Sequence, residues 1–247
     1  MGVVHGVVHG LCPGARLVDL THAIPAGDVA RAAFVLEAAA PDFVPGTIHL
    51  AVVDPGVGTG RRALAAEAHG QFFVGPDNGV LEWAFADPLA KVHALTEEKF
   101  FRPQVSRTFH GRDVFAPVAA HLACGVAIEA FGPAVKDPVR LQHLEPYEDH
   151  GALYGTVMFV DRFGNAITNL NASVIAAYFP KVADSDLVIE IAGRSVRGLA
   201  RSYGDAPIGT LVAILGSSGR LELAEVGGHA SSRFGVGARD PVRVRLA

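Results

Sequence analysis

The sequence predicts an α/β domain with a mostly parallel central sheet, followed by a smaller antiparallel β-barrel-like domain. Three observations carry that expectation. In the first half, strand-like and helix-like stretches alternate, and several strand candidates are apolar on both faces. After the prolines at 138 and 146, short strands follow one another between Gly, Pro and Asp turns with almost no helix. The 247 residues are 50% apolar and 19% charged, enough to bury a substantial core, and the mean hydropathy of +0.30 excludes a disordered chain. The expected division is an α/β domain over 1–147 and a β domain over 148–247, with the boundary near 145–152.

Residues 3–11 are apolar with glycines and read as a short helix, and 16–20 as a strand ending at Asp19 and Thr21. Asp28 is placed to cap a helix that runs to about Ala40 and stops at Pro41. Residues 47–53 (TIHLAVV) form a β-rich run that feeds the loop DPGVGTGRR. Residues 63–68 and 71–75 read as strands around a tight turn at Gly70, 79–85 as a short helix and 92–95 as a strand. Residues 113–124 give the clearest helix, opened by a charged residue, with Asp113 as its cap, and closed by Gly125. In the second half, 155–160 and 165–170 read as a hairpin around 161–164. Residues 187–191, 195–199, 211–215, 221–225 and 242–246 read as strands, and 173–179 as one or two helical turns.

The formal charge of −4, from 21 basic and 25 acidic residues, offers no basic field for nucleic acid or an anionic membrane. No apolar run is long enough to span a bilayer, and no cationic segment followed by an apolar one opens the chain. Cys12 and Cys124 show no metal-like spacing and read as buried free thiols. Together these point to a soluble cytoplasmic protein. His5 and His9 share a helix face, but Gly6 stands where a zincin motif needs Glu, so no metal is expected.

Five segments could carry chemistry. Asp54 ends a predicted strand, where open α/β sheets place ligands, and the glycine-rich loop after it leads to Arg61 and Arg62. It is neither a dinucleotide fingerprint nor a P-loop. A plain glycine turn with a solvated arginine pair fits this segment about as well as a carboxylate and guanidinium held across a rigid turn. His110, before the alanine-rich helix, reads equally as a half-buried histidine or a catalytic group. Segments 75–79 (GPDNG), 161–165 (DRFGN) and 216–219 (GSSG) are each explained about as well by turn chemistry.

Taken together, VDLTHAIP at 18–25, TIHLAVVDPGVGTGRR at 47–62, FVGPDNGVL at 73–81, TFHGRDVFAPVAAHLACG at 108–125, VDRFGNAITNL at 160–170 and GSSGRLELAEVGG at 216–228 resemble one family. It is the S-adenosylmethionine hydrolases, or hydroxide adenosyltransferases, relatives of the bacterial fluorinase and chlorinase. The segments run in family order over nearly the whole chain. The resemblance implies a homotrimer with sites between subunits, in which water attacks C5′ of the ribose and expels methionine, leaving adenosine. S-adenosylmethionine is then the substrate, and no cofactor is expected. The family's catalytic set falls on Asp54, Arg61 and His110. In the halogenases a tyrosine stands at the position of Asp54 and Tyr-Ser replace His110-Gly111, so both differences favour water over halide.

The resemblance also assigns Asp161, Ser217 and the backbone near Ser218 to the methionine end, Asn165 to the adenine edge and Tyr203 to packing on the ring. Asp77 and Asn78 are expected as scaffold. Family members open with a strand ending in a Thr-Asp-Phe-Gly-like segment, whose aspartate takes the ribose hydroxyls. This chain begins at the point matching the helix after that strand, so the strand and its aspartate are expected to be missing. The rival readings are a protein that binds an adenosyl compound without turnover, and a related halide-using adenosyltransferase. Whether Asp54 or His110 is the base stays open on sequence grounds.

Overall fold

The computed structural model describes residues 2–141 and 145–247. Its chain divides into two compact units, Met1–Gln142 and His143–Ala247.

The first unit is built on a four-stranded sheet in the order β1-β3-β2-β4: β1 (Ile48–Leu50), β2 (Ala63–Ala68), β3 (Gln71–Pro76) and β4 (Lys91–Ala94). Only β1–β3 is parallel; β2–β3 and β2–β4 are antiparallel, so the sheet is small and mixed and the expectation of a mostly parallel one is corrected. The reason lies in a two-residue turn. His69 and Gly70 both have positive φ, 52° and 72°, the geometry that folds β2 back on β3 as a hairpin. The two-sided burial read from the sequence is nevertheless real. Leu64, Ala66 and Phe73 face Leu36, Leu81, Ala84 and Phe85 of a helical layer made by α2 (Val29–Ala39) and α3 (Glu82–Phe85). Ala65 and Val74 face Phe115, Val118 and Leu122 on the other side. Coverage on both faces, not strand direction, produced the apolar runs.

On that second side lies α4 (Ala116–Ala123), preceded by a π-helical turn, Gly111–Phe115. The small side chains of Ala116 and Ala120 let α1 (Gly2–Leu11) approach through Val8 and Cys12. Asp28 caps α2 as expected, accepting from the Arg31 N–H at 3.1 Å, and Gly125 closes α4 at φ 86°. Residues 16–20 form no strand. No described strand pairs with them, and Leu17, Val18 and Leu20 are exposed. The 47–53 run is a strand only over Ile48–Leu50, extended by one bond from the Ala51 N–H to Val74 O. Of the two free cysteines, Cys12 is buried but Cys124 is exposed, which corrects the expectation of two buried thiols. A hydrogen bond with Cys12 raises the Cys124 thiol's pKa.

The second unit is an antiparallel, nearly closed barrel-like sheet in the order β10-β11-β7-β6-β12-β8-β9. Its strands are β5 (Tyr147–Asp149), β6 (Ala152–Val160), β7 (Ala166–Asn171), β8 (Leu187–Ile191), β9 (Arg194–Arg197), β10 (Leu211–Leu215), β11 (Arg220–Glu225) and β12 (Pro241–Leu246). The long β6 pairs with β5 and β12 through its first half and with β7 through its second, shifting register between Val157 and Phe159. Such an irregularity bends the strand, as a closing sheet requires. Past β9, Ala200 bridges Ile214 of β10 and nearly completes the ring. Leu153, Val157, Leu170, Ile189, Leu223 and Val244 fill the interior, with α5 (Ala172–Tyr178) contributing Ile175.

Candidate active site

Asp54 lies four residues beyond Leu50, at the carboxyl end of β1's path. The carbonyl just before it, Val53 O, accepts a 2.9 Å bond from Asn78 Nδ2, and Asn78 Oδ1 in turn accepts from the Val80 N–H. The loop after Asp54 closes on itself: the Val57 N–H bonds Asp54 O, and the Thr59 N–H and hydroxyl both bond Gly56 O. Gly58 takes φ 78°, and a Cβ there would lie 2.3 Å from Arg107 O. Only glycine permits this approach, which lays the loop against the segment leading to His110.

The consequence is a trio. Arg61 Nε donates to both oxygens of Asp54 at 3.0 Å, and its Nη2 donates to Asp54 Oδ2 as well. The same Nη2 donates to His110 Nδ1 at 2.9 Å. The guanidinium also lies over the Phe115 ring, 5.2 Å from its centroid. The Asp54 and Arg61 side chains are only 4% and 11% exposed, so the pair is shielded from water. Guanidinium has no acceptor, so His110 Nδ1 must receive the bond and the neutral ring carries its proton on Nε2. Burial, then the Arg61 cation, lower the pKa of His110, with Asp54 and Asp113 opposing. Neutral imidazole is therefore the resting form at pH 7.

The neighbouring arginine has another task. Arg62 Nε donates to Asp77 Oδ2 at 2.6 Å, Nη1 to Asp137 Oδ1 at 2.8 Å and Nη2 to Asp137 O. Asp77 Oδ1 also accepts from the Val139 N–H. Asp77 and Asn78 thus fix the backbone around the trio. Asp113 does not cap α4, correcting that expectation. Because the chain first makes a π-helical turn, Asp113 is wholly buried, bound by Arg112 Nε at 2.6 Å and Nη2 at 2.8 Å, and it accepts from the Ser106 N–H. These contacts, Arg112 foremost, hold its carboxyl below the usual range.

In the second unit, Asp161 organises the turn from β6 to β7. Its Oδ1 accepts from the Phe163 and Asn165 N–H groups, and its Oδ2 from Asn165 Nδ2 at 3.2 Å. Tyr203 donates its hydroxyl to Glu222 Oε2 at 2.9 Å, and burial, then Glu222, push its pKa up to about 12. Ser217 is exposed in the β10–β11 turn, while Ser218 Oγ is buried and has no hydrogen-bond partner among the described residues.

Glu222 was not singled out from the sequence. It is 7% exposed, and burial raises its pKa, with the Asp161 charge adding to the rise. Gly216 makes its place: a Cβ there would lie 1.8 Å from Glu222 Oε1. A glutamate amid the apolar LELAE run of β11 was the available signal. Asp161, Asn165, Tyr203, Glu222 and the serine turn therefore share one end of this unit.

Of the two units, the first holds at a strand's end a hydrogen-bonded Asp–Arg–His trio, the kind of acid–base constellation that enzymes use. More particularly, the chain belongs to the S-adenosylmethionine hydroxide adenosyltransferase family, whose N-terminal domain matches residues 1–132 and whose C-terminal domain matches 155–243. An (R)-S-adenosyl-L-methionine hydrolase of Thermus thermophilus is 41% identical over 99% of this chain and 93% of its own. A fluorinase of Nocardia brasiliensis is 26% identical over 98% and 90%. A solved structure of an uncharacterized conserved protein from Thermotoga maritima superposes with a TM-score of 0.90 at 34% identity, covering 99% of this chain and 94% of that one.

Proposed function

We propose that the protein hydrolyses S-adenosylmethionine to adenosine and methionine by attack of water on C5′ of the ribose, with Asp54, Arg61 and His110 acting on the water. The hydrogen-bonded trio is the observation that carries this reading. As the oxygen–C5′ bond forms, the C5′–S bond breaks and its electron pair neutralises the sulfonium. Methionine therefore leaves without a proton, and no general acid is needed. Water must lose one proton and be held in line.

Arg61 occupies His110 Nδ1, so the imidazole presents a donor, Nε2–H, while Asp54 is the acceptor of the trio. Asp54 Oδ1, which takes one Arg61 bond, has capacity for the water proton. His110 Nε2–H then orients the oxygen, and Arg61 stabilises its developing negative charge. On this reading Asp54 is the base.

The methionine end is assigned to Asp161, Ser217 and Ser218, the adenine edge to Asn165 and the ring face to Tyr203. The unpaired Ser218 Oγ suits a ligand carboxylate, and Asn165 is held rigidly by Asp161. A homotrimer is part of the reading. The test is incubation with S-adenosylmethionine, with and without halide, followed by mass analysis. Equimolar adenosine and methionine, independent of chloride, is the expected outcome. Binding without adenosine release, or a 5′-halo-adenosine, would replace the hydrolase with one of the rival readings.

A further inference from the structure

We infer that His5, Asp19 and His22 form a binding site for one transition-metal dication of the zinc type, separate from the catalytic trio. Among the described residues this is the one group of three or more His, Cys, Asp and Glu side chains whose ligand atoms converge, all within 4.8 Å of one another. His5 sits in the second turn of α1, whereas Asp19 and His22 lie in the irregular segment that follows. Both histidines point Nε2 at one oxygen, Asp19 Oδ1, at 2.8 Å and 3.0 Å.

Two imidazoles and a carboxylate are the donor set that borderline dications favour, and three protein ligands leave room for water. Around a tetrahedral ion with bonds of about 2.0–2.1 Å, neighbouring donors stand about 3.3 Å apart. The two contacts to Asp19 Oδ1 would each lengthen by a few tenths of an ångström, and the two imidazole nitrogens, which lie within 4.8 Å of each other, would settle to the same spacing. The side chains are 33%, 36% and 52% exposed, so an ion can enter from solvent and the rotamers can adjust. On binding, each imidazole turns its Nε2 lone pair to the ion and carries its remaining ring proton on Nδ1, with no redox change.

The sequence did not show this site, because the spacing of His5 draws attention to His9. The partners come instead from 14 and 17 positions downstream. Bound metal would fasten to α1 a segment that has no helix or strand of its own and exposes Leu17, Val18 and Leu20.

The test uses the full chain, stripped with chelator and titrated with Zn²⁺ by calorimetry, and with Co²⁺ followed by visible absorption. One Zn²⁺ per chain should bind and raise the melting temperature, and Co²⁺ should give ligand-field bands. His22→Ala and Asp19→Asn should each weaken Zn²⁺ binding at least tenfold. His150→Ala should not, since His150 is an exposed histidine of the other unit beside Asp149. Absence of saturable one-to-one binding would overturn the inference. So would His22→Ala binding Zn²⁺ with the parent's affinity, since His22 is the most exposed ligand and its loss is the least disturbing to folding.

Discussion

Arg61 and Arg62 are adjacent, yet they go to opposite tasks. Arg61 turns to Asp54 and His110, and Arg62 to Asp77 and Asp137. Their spacing in the sequence could not say which would do which, because the choice depends on the fold of loop 54–61 over Gly58 and Arg107. The residue types themselves were legible, since a carboxylate, a guanidinium and an imidazole each sat beside a glycine-bounded turn. Two substitutions test the arrangement. Asp54→Asn keeps size but loses basicity and charge. Steady-state kinetics of adenosine release should show kcat lower by ~10²–10³ with KM little changed, the mark of an interaction made mainly in the transition state. A kcat within about twofold of the parent would remove Asp54 from its role. Gly58→Ala places a Cβ against a backbone oxygen at positive φ, a strain of about 1–3 kcal/mol before any clash is counted. It should lower the melting temperature and abolish turnover together. Proton NMR should show the His110 ring titrating below 6.5, because burial and Arg61 both disfavour its charged form. Arg61→Gln should move that midpoint upward, and no movement would break the proposed contact.

At the scale of elements, burial was legible and direction was not. The strands of the first unit are apolar on both faces because helices cover both sides of the sheet. The tight turn at Gly70 was legible, but the antiparallel β2–β3 pairing it imposes and the antiparallel β2–β4 pairing were not carried into the expected sheet. Residues 16–20 have strand composition but no pairing partner among the described residues, and composition cannot supply one. The helix starting at Asp113 was misplaced because its first turn is π-helical and that carboxylate turns inward. His49 on β1 shows what burial costs an ionisable group. It is 5% exposed, stacks on Phe73 and contacts Gln71 Oε1 at 3.1 Å through Nε2. Burial lowers its pKa from 6.5, although the Gln71 bond opposes this. Below pH 6.5 the unfolded chain therefore binds a proton that the folded chain resists. Stability is intact above 6.5, falls as pH drops through that value and stops falling below the folded pKa, with a slope of at most about 1.4 kcal/mol per pH unit for this group. Urea unfolding at pH 7.5 and 5.5 should show the loss, and equal midpoints would contradict it. The contact of α1 with α4 rests on small residues, so Ala120→Leu should destabilise the protein by about 1–3 kcal/mol through overpacking.

For the whole molecule, the change of character after the prolines at 138 and 146 foretold a second, antiparallel unit, because a run of short turn-bounded strands with almost no helix has few other solutions. What the sequence did not reveal was how that unit nearly closes. That depends on register shifts in β6 and β11 and on the Ala200–Ile214 bridge, which leave no compositional trace. Glu222 was missed for the same reason, since only the closed sheet brings it beside Tyr203 and Asp161. The proposed trimer is tested by sedimentation equilibrium, with an expected mass near three times 25.8 kDa. The central claim is that water itself attacks C5′, and one measurement reaches it directly. S-adenosylmethionine is turned over in ¹⁸O-enriched water and the adenosine is examined by mass spectrometry. The account predicts one ¹⁸O in the 5′-hydroxyl of every adenosine formed, in the enrichment of the solvent, with methionine released in equal amount and unlabelled. Adenosine lacking the label, or methionine carrying it, would contradict attack by water at C5′.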